Sequence, residues 1–455
     1  MSAEFYSLAE AASRVGGTVT GDGSLRPSAL SLDTRTILAG ACFVALRAER
    51  DGHAFARSAV EKGASCLLVD HPLPLSVPQL IVPDTLAALQ AWGAARLADL
   101  RPRAVFGVTG SVGKTSTKEL LAGATGAWKT PGNRNNTLGL PQALATYPGG
   151  FTAAVLEMGM STPGEIRRLT EIAPPDFGII TNIGTAHLEN FAEGRQGIAK
   201  AKGELIAGLR RGGAWAFHAE DPWCRWVAEQ PWAAHVRPIP VGAGEAYGVA
   251  RAESLGPRGE RFALRTPEGP FELEIRLRGH HQVGNAALAA TVALAAGFSL
   301  GSLAAGLASV QPEPGRGRLI ALKGGGWLLD ETYNASADSI QACAAALLEM
   351  EGGEPVAVLG SMRELGPEAA AIHRATGAAL KALGLSRLWS FGEFASDYAA
   401  GFGSGAAVFQ DFEPLRDSAE GLGAIPPGAR VLVKGSRFWR SERAVDWLAL
   451  HLGVD

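Results

Sequence analysis

An α/β fold divided into three domains is what the sequence predicts, and three observations predict it. The chain has 455 residues, 47% of them hydrophobic, enough to bury more than one core. Short apolar, strand-like runs alternate with helical patterns along its length, as parallel sheets with covered faces require. Two breaks interrupt the alternation: Arg101-Pro102-Arg103, and "QPEPGRGR" at 311–318 with its two prolines and two glycines. They divide the chain into domains of 1–101, 102–313 and 314–455.

In the first domain the helical pattern "SLAEAASRVGG" precedes the strand runs "CFVAL", "SCLLVD" and "PQLIVPD". The long helical stretch "TLAALQAWGAARLADL" closes it. The second domain opens on the strand "AVFGVT". It continues through "AAVLEM", "FGIITNI" and "AWAFH", each followed by a glycine-bearing turn or a helical pattern. Beyond 318 the strands "GWLLDETYN", "PVAVLG", "RLWSFG", "AAVFQDF" and "ARVLVKGS" are separated by helices, which predicts a Rossmann-like doubly wound domain. No internal repeat or low-complexity tail occurs.

Composition excludes several function classes. A formal charge of −3 with 19% charged residues leaves no basic footprint for nucleic acid or an anionic membrane surface. The four cysteines (Cys42, Cys66, Cys224 and Cys343) lack metal-ligand spacing and predict buried thiols in the cytoplasm. No basic segment followed by an apolar one opens the sequence, and no apolar run has membrane-spanning length. A soluble, compact, loop-rich globular protein is therefore expected.

"VFGVTGSVGKTSTKEL" at 105–120 carries the chemistry. The strict phosphate-loop pattern G-x-x-x-x-G-K-[ST] needs glycine at 108, where this chain has Val108, and Gly107 comes one residue early. Even so, the residues Thr109, Gly110, Ser111, Val112, Gly113, Lys114, Thr115 and Ser116 turn a strand into a helix. Such a turn aims backbone N–H groups and the positive helix end at an anion. Lys114 is placed to reach β- and γ-phosphates, and the Thr115 hydroxyl to meet Mg²⁺. Nucleotide binding is expected, in a variant loop.

"GVTGSVGKTSTKEL" resembles the variant loop of the Mur ligases and folylpolyglutamate synthetases, ATP-dependent enzymes that form amides. The resemblance implies ATP with two Mg²⁺ ions and a set of residues to hold them. Glu157, at the end of "AAVLEM", corresponds to the Mg²⁺-binding glutamate, and His187 in "TNIGTAHLENF" to a metal-binding histidine. Within "GIAKAKGEL", Lys202 corresponds to a lysine carbamylated by CO₂, with Lys200 the alternative. A carbamate would offer Mg²⁺ two anionic oxygens where an ammonium would repel it. His281 and Asn285 in "RGHHQVGNAA" fit the family's H-x-x-x-N segment, Asn285 reading adenine. From the third domain, Arg318 (in preference to Arg316) and Asp330 or Glu331 are expected to reach the nucleotide.

Further segments are similar to the Mur ligases that join D-alanyl-D-alanine to a UDP-N-acetylmuramoyl-tripeptide. They are "TPGNRNNTLGLP" with Asn135 and Asn136, "DETYNAS", "VLGSMRELG" followed by His373, and "VLVKGSRFWRSERAVDWL". In the first domain, "LDTRTILAGACFVAL" and "RDGHAFARSAVEKGAS" resemble the part that holds the UDP end, which places Asp33, Thr34 and Arg35 there. Lys434 and Ser436 are expected to position the dipeptide. Ser361 departs from the family, where aspartate is common. No D-[ND]-P-R motif occurs, which counts against the ligase that adds the third peptide residue. The resemblance implies a monomer in which Lys114, His187 and carbamylated Lys202 form the catalytic set. A folylpolyglutamate synthetase-like ligase and a P-loop NTPase switch or binding protein are the alternatives.

Overall fold

The structure, a computed structural model, describes residues 4–418 and 425–454. Its first sheet has five strands in the order Thr18–Thr20, Gln79–Ile81, Cys66–Val69, Cys42–Val44 and Leu30–Ser31. Thr18–Thr20 runs antiparallel to its neighbour and the other pairings are parallel. The helix Thr85–Asp99 leaves this sheet for the next domain, its Asp84 cap accepting from Leu86 and Ala87 N–H. On that helix the buried Arg96 guanidinium donates to the Tyr147 carbonyl at 2.9 Å, tying the helix to the central domain.

Six parallel strands build the central sheet, in the order Arg237–Val241, Ala214–His218, Phe177–Ile180, Ala104–Thr109, Ala153–Glu157 and Trp128–Lys129. Ala104–Thr109 is buried along its whole length, which explains why it reads as a continuous apolar run. One face packs Leu205, Ile206 and Trp215, and the other packs Leu120, Leu121 and the alanine-rich helix His280–Ala295.

One element departs from the sequence expectation of alternating strands and helices. Gly248–Ser254, Glu260–Thr266 and Gly269–Ile275 form an antiparallel three-stranded meander. Its signal was the period-two alternation of "FELEI", with one face packed on the core and the other in solvent.

The third sheet has the order Arg318–Leu322, Gly326–Glu331, Arg430–Lys434, Pro355–Gly360, Arg387–Phe391 and Ala406–Phe409. Only the edge strand Arg318–Leu322 is antiparallel. Helices cover both faces, as the doubly wound pattern predicted. The carboxyl ends of the central and third sheets face each other. Ligands of open parallel sheets bind at such ends. Among the described residues no helix is long and apolar enough to cross a membrane, and the four cysteines are free and buried.

Candidate active site

A cleft of about 920 Å³ separates the two large sheets, within the range of small-molecule sites. The phosphate loop forms its floor. Val108 belongs to the strand, where its carbonyl accepts from Met158 N–H at 2.8 Å, so the turn begins one residue later than in the strict pattern. Gly110 has φ +152°, and a Cβ there would lie 1.8 Å from Thr181 Oγ1. Gly113, at φ +84°, starts the helix Lys114–Thr125, and its Cβ would meet Asn285 Oδ1 at 2.9 Å. Both positions therefore need glycine. Asn182, a residue not singled out by its sequence context, pins the loop: its Oδ1 accepts from the N–H groups of Ser111 (3.1 Å) and Val112 (3.0 Å).

Lys114 folds back over the loop, donating to the carbonyls of Gly110 (2.7 Å) and Ser111 (3.3 Å). Burial lowers its pKa; Glu157 opposes that shift and Arg316 adds to it. Glu157 is buried and accepts from Thr115 Oγ1 and Asn135 Nδ2, each at 2.8 Å. Burial alone would raise its pKa, but Lys118 and Lys114, helped by those hydrogen bonds, hold the carboxyl below its ordinary range. An anionic carboxylate beside a hydroxyl is an oxygen donor set of the kind Mg²⁺ takes. Lys118 also escaped the sequence reading. It is completely buried and stands 3.5 Å from Glu157.

His187 lines the cleft just past the strand Phe177–Ile180, with Nδ1 against the carboxylate of Glu364 from the third domain. Lys202 lies on the helix Arg195–Ala207, 2% exposed. Burial and the nearby Lys114 push its amine well below the usual lysine pKa, opposed by Cys224. Lys200 points the other way and pairs with Glu193 at the surface.

Asn136, Asn285, Glu331, Lys434 and Ser436 also line the cleft. Lys434 Nζ is 3.4 Å from Glu331 Oε2, and burial, opposed by Glu331, lowers the pKa of His281 alongside. Thr109 and Gly110 lie behind the loop rather than in the cleft wall.

Beyond those two, six expected residues do not line the cleft: Lys202, which is buried, and Arg318, Asp330, Asp33, Thr34 and Arg35; Arg316 stands where Arg318 was expected. Arg318 starts an edge strand opposite Asp330, its register partner, and pairs with it at 3.3 Å, away from the cleft. Arg316 lines the cleft instead, its guanidinium 3.6 Å from the centre of the Tyr333 ring. Asp330 is buried and accepts from Gly315 N–H (3.0 Å) and Thr332 Oγ1 (2.7 Å), so it shapes the turn that presents Arg316. Alternation along the strand sends Glu331 to the cleft and Asp330 away from it. Asp33, Thr34 and Arg35 are on the first domain, outside this cleft. There Arg35 holds the Asp33 carboxyl down at about 2, and the Thr34 carbonyl accepts from Lys62. Ser361, the departure from the family pattern, is a buried hydroxyl that donates to Phe391 O and accepts from Phe394 N–H.

A phosphate loop facing a second α/β domain across a polar cleft defines a P-loop enzyme that works between two domains. Comparison with known proteins specifies the class. Residues 108–293 match the Mur ligase middle domain and 302–437 the Mur ligase, glutamate ligase domain. The UDP-N-acetylmuramoyl-tripeptide--D-alanyl-D-alanine ligase of Escherichia coli is 36% identical over 430 residues, covering 92% of each chain. The enzyme of that name from Bacillus subtilis is 34% identical over 382 residues, covering 82% of this chain and 81% of its own. A crystal structure of MurF from Acinetobacter baumannii superimposes with a TM-score of 0.87 at 32% identity, over 98% of this chain and 99% of that one. MurF from Thermotoga maritima in complex with ADP gives 0.81 at 28% identity, over 93% and 97%. The chain belongs to the Mur ligase family and is an ATP-dependent, ADP-forming amide ligase.

Proposed function

We propose that this ligase joins D-alanyl-D-alanine to UDP-N-acetylmuramoyl-tripeptide, forming the pentapeptide precursor of peptidoglycan. The observation that carries the reading is the position of the "GNRNN" segment. Asn135 and Asn136 stand in the wall of the phosphate-loop cleft, Asn135 bonded to Glu157. The similarity to enzymes of that name along nearly the whole chain supports it.

A carboxylate does not accept an amine at neutral pH, because its oxygen is a poor leaving group. In the proposed reaction the tripeptide carboxylate attacks the γ-phosphorus of ATP, the bond to ADP breaks, and an acyl phosphate forms. The dipeptide amine then attacks the acyl carbon, phosphate leaves with the bonding pair, and the amine proton passes to solvent. The protein's work is to hold two anions together and damp their repulsion. Lys114 would leave the Gly110 and Ser111 carbonyls for the β- and γ-phosphates, Asn285 would meet adenine, and Arg316 would approach from the third domain. Bound Mg²⁺ would add positive charge between the anions. Thr115 and Glu157 would hold one ion. His187 and a Lys202 carbamate would hold a second, with ligands shared. The Lys202 amine, which among the described residues makes no hydrogen bond or ion pair and is pushed toward its neutral form by burial, supports the carbamate, since only the neutral amine adds to CO₂. Lys434 and Ser436 would position the dipeptide, and Asp33, Thr34 and Arg35 the UDP end. Domain boundaries near 101 and 313, a monomeric state and a cytoplasmic location complete the proposal.

Stoichiometry tests it. Purified protein with Mg²⁺ should release phosphate from ATP only when both the UDP-tripeptide and D-alanyl-D-alanine are present. Sustained release without either substrate overturns the assignment.

A further inference from the structure

The contact between His187 and Glu364 joins two domains. His187 ends the loop after a central strand, whereas Glu364 sits in the loop after Pro355–Gly360 of the third domain. Both residues have left-handed backbones, φ +64° and +63°. Among the described residues only Arg440 shares that region without being glycine. Such conformations persist where surrounding structure over-determines them, and they cluster at ligand clamps and switch regions. Here two of them meet face to face across a domain boundary.

Neighbouring residues repeat the contact. A Cβ on Gly366 would come within 3.2 Å of Glu189 Cβ, so the two loops pack closely beyond the charged pair. The Glu364 loop is itself anchored. Met362 N–H donates to Nε2 of buried His373 at 2.9 Å, and His373 Nδ1–H donates to Ala369 O at 2.6 Å. The His373 ring packs on Phe394 and Tyr398, their centroids 4.8 and 4.6 Å away. Glu364 is thus delivered to His187 by a braced loop.

We infer that Glu364 is a positioning residue for His187: its carboxylate, set against Nδ1 across the domain gap, turns Nε2 toward the cleft and orients that ring for a metal ion only when the third domain has closed. This rests on the reading of His187 as a metal ligand. A metal-binding histidine commonly gives its second ring N–H to a carboxylate that sets its tautomer and direction. What is particular here is that the carboxylate belongs to another domain. Metal binding and domain closure are thereby coupled: each stabilises the arrangement the other needs. Closure would complete the electrostatic machinery at the moment the cleft is shielded from water.

The test uses the full chain with a non-hydrolysable ATP analogue, titrating Mn²⁺ by electron paramagnetic resonance and measuring Tm in parallel. Glu364→Ala and Glu364→Gly should weaken Mn²⁺ binding about tenfold, and Glu364→Gln, which keeps an acceptor oxygen, should lose less. Glu364→Gly should keep or raise Tm, because glycine relieves the left-handed backbone. A merely structural role predicts the reverse: lower Tm and intact metal binding. Mn²⁺ affinity within about twofold of wild type in Glu364→Gly, with His187→Ala clearly weakened, overturns the inference while leaving His187 a ligand. Unchanged affinity in His187→Ala overturns the ligand reading itself. Loss of Mn²⁺ binding together with a collapse of Tm in all three Glu364 variants also overturns the inference.

Discussion

Two lysines are buried in the central domain, and their surroundings could hardly differ more. Lys118 is 0% exposed, donates to the Gly132 carbonyl at 2.9 Å and lies 3.5 Å from the carboxylates of both Glu119 and Glu157. Lys202 is 2% exposed, and among the described residues it has no hydrogen bond or ion pair. A buried charge is tolerated when a carboxylate compensates its lost hydration, and otherwise the group gives up its proton. Lys118 accordingly braces Glu157, while Lys202 is an amine pushed toward its neutral, nucleophilic form. The first arrangement maintains a carboxylate for metal. The second suits an amine that must become an anion by adding CO₂.

The comparison breaks most visibly at Lys118. Lys118→Met leaves Glu157 buried beside an apolar side chain, and should cost about 3–5 kcal/mol of stability in urea unfolding without nucleotide. If the stability stays at the wild-type value, Lys118 is not the brace described. Lys202→Ala should instead act on the reaction, lowering kcat about 10²–10³-fold, the loss expected from one preorganised electrostatic group. A short carboxylic acid in the assay should return part of that activity. Failure of every such acid, with wild-type activity in CO₂-depleted buffer, would count against a carbamate.

Stability sharpens the contrast with the opposite sign. In CO₂-depleted buffer containing chelator, Lys202→Met should raise stability by about 1–2 kcal/mol, because an unpaired buried amine is removed. Its pH dependence follows from the lowered pKa. Between the folded value and the free-lysine value of about 10.4, the unfolded chain binds more protons, so wild-type stability rises with pH in that window. The advantage of Lys202→Met should therefore shrink as pH climbs toward the upper limit, which paired denaturation curves would show. The smallest effect belongs to Lys200→Ala. Its salt bridge to Glu193 is half-exposed, and its loss should change stability by no more than about 0.5 kcal/mol.

The strands and the loop were legible because their signals are local. "AVFGVT", "AAVLE" and "RVLVK" are apolar runs of strand length, and Gly110, Gly113, Lys114 and Thr115 lie within six residues of one another. The antiparallel meander was missed although "FELEI" alternates, because the helix–strand alternation on both sides dominated the pattern. Asn182 and Glu364 were missed, and Arg316 was passed over for Arg318, for a different reason: each acts on a residue distant in sequence. Asn182 reaches the phosphate loop across two adjacent strands, and Glu364 reaches His187 across two domains.

By itself, then, the sequence determined the α/β layers, the phosphate loop with its shift past Val108, and the resemblance to the Mur ligases. All of these are carried by residues near one another in the chain. Only the tertiary structure decided between neighbours. Lys200 and Lys202 are two positions apart on one helix, about 200° around its axis, so one meets solvent and the other the interior. Arg316 and Arg318 straddle the start of a strand, and register with Asp330 takes the second away from the cleft. Chemistry was written in residue type, whereas direction came from packing, because a side chain's aim depends on what the rest of the fold puts beside it.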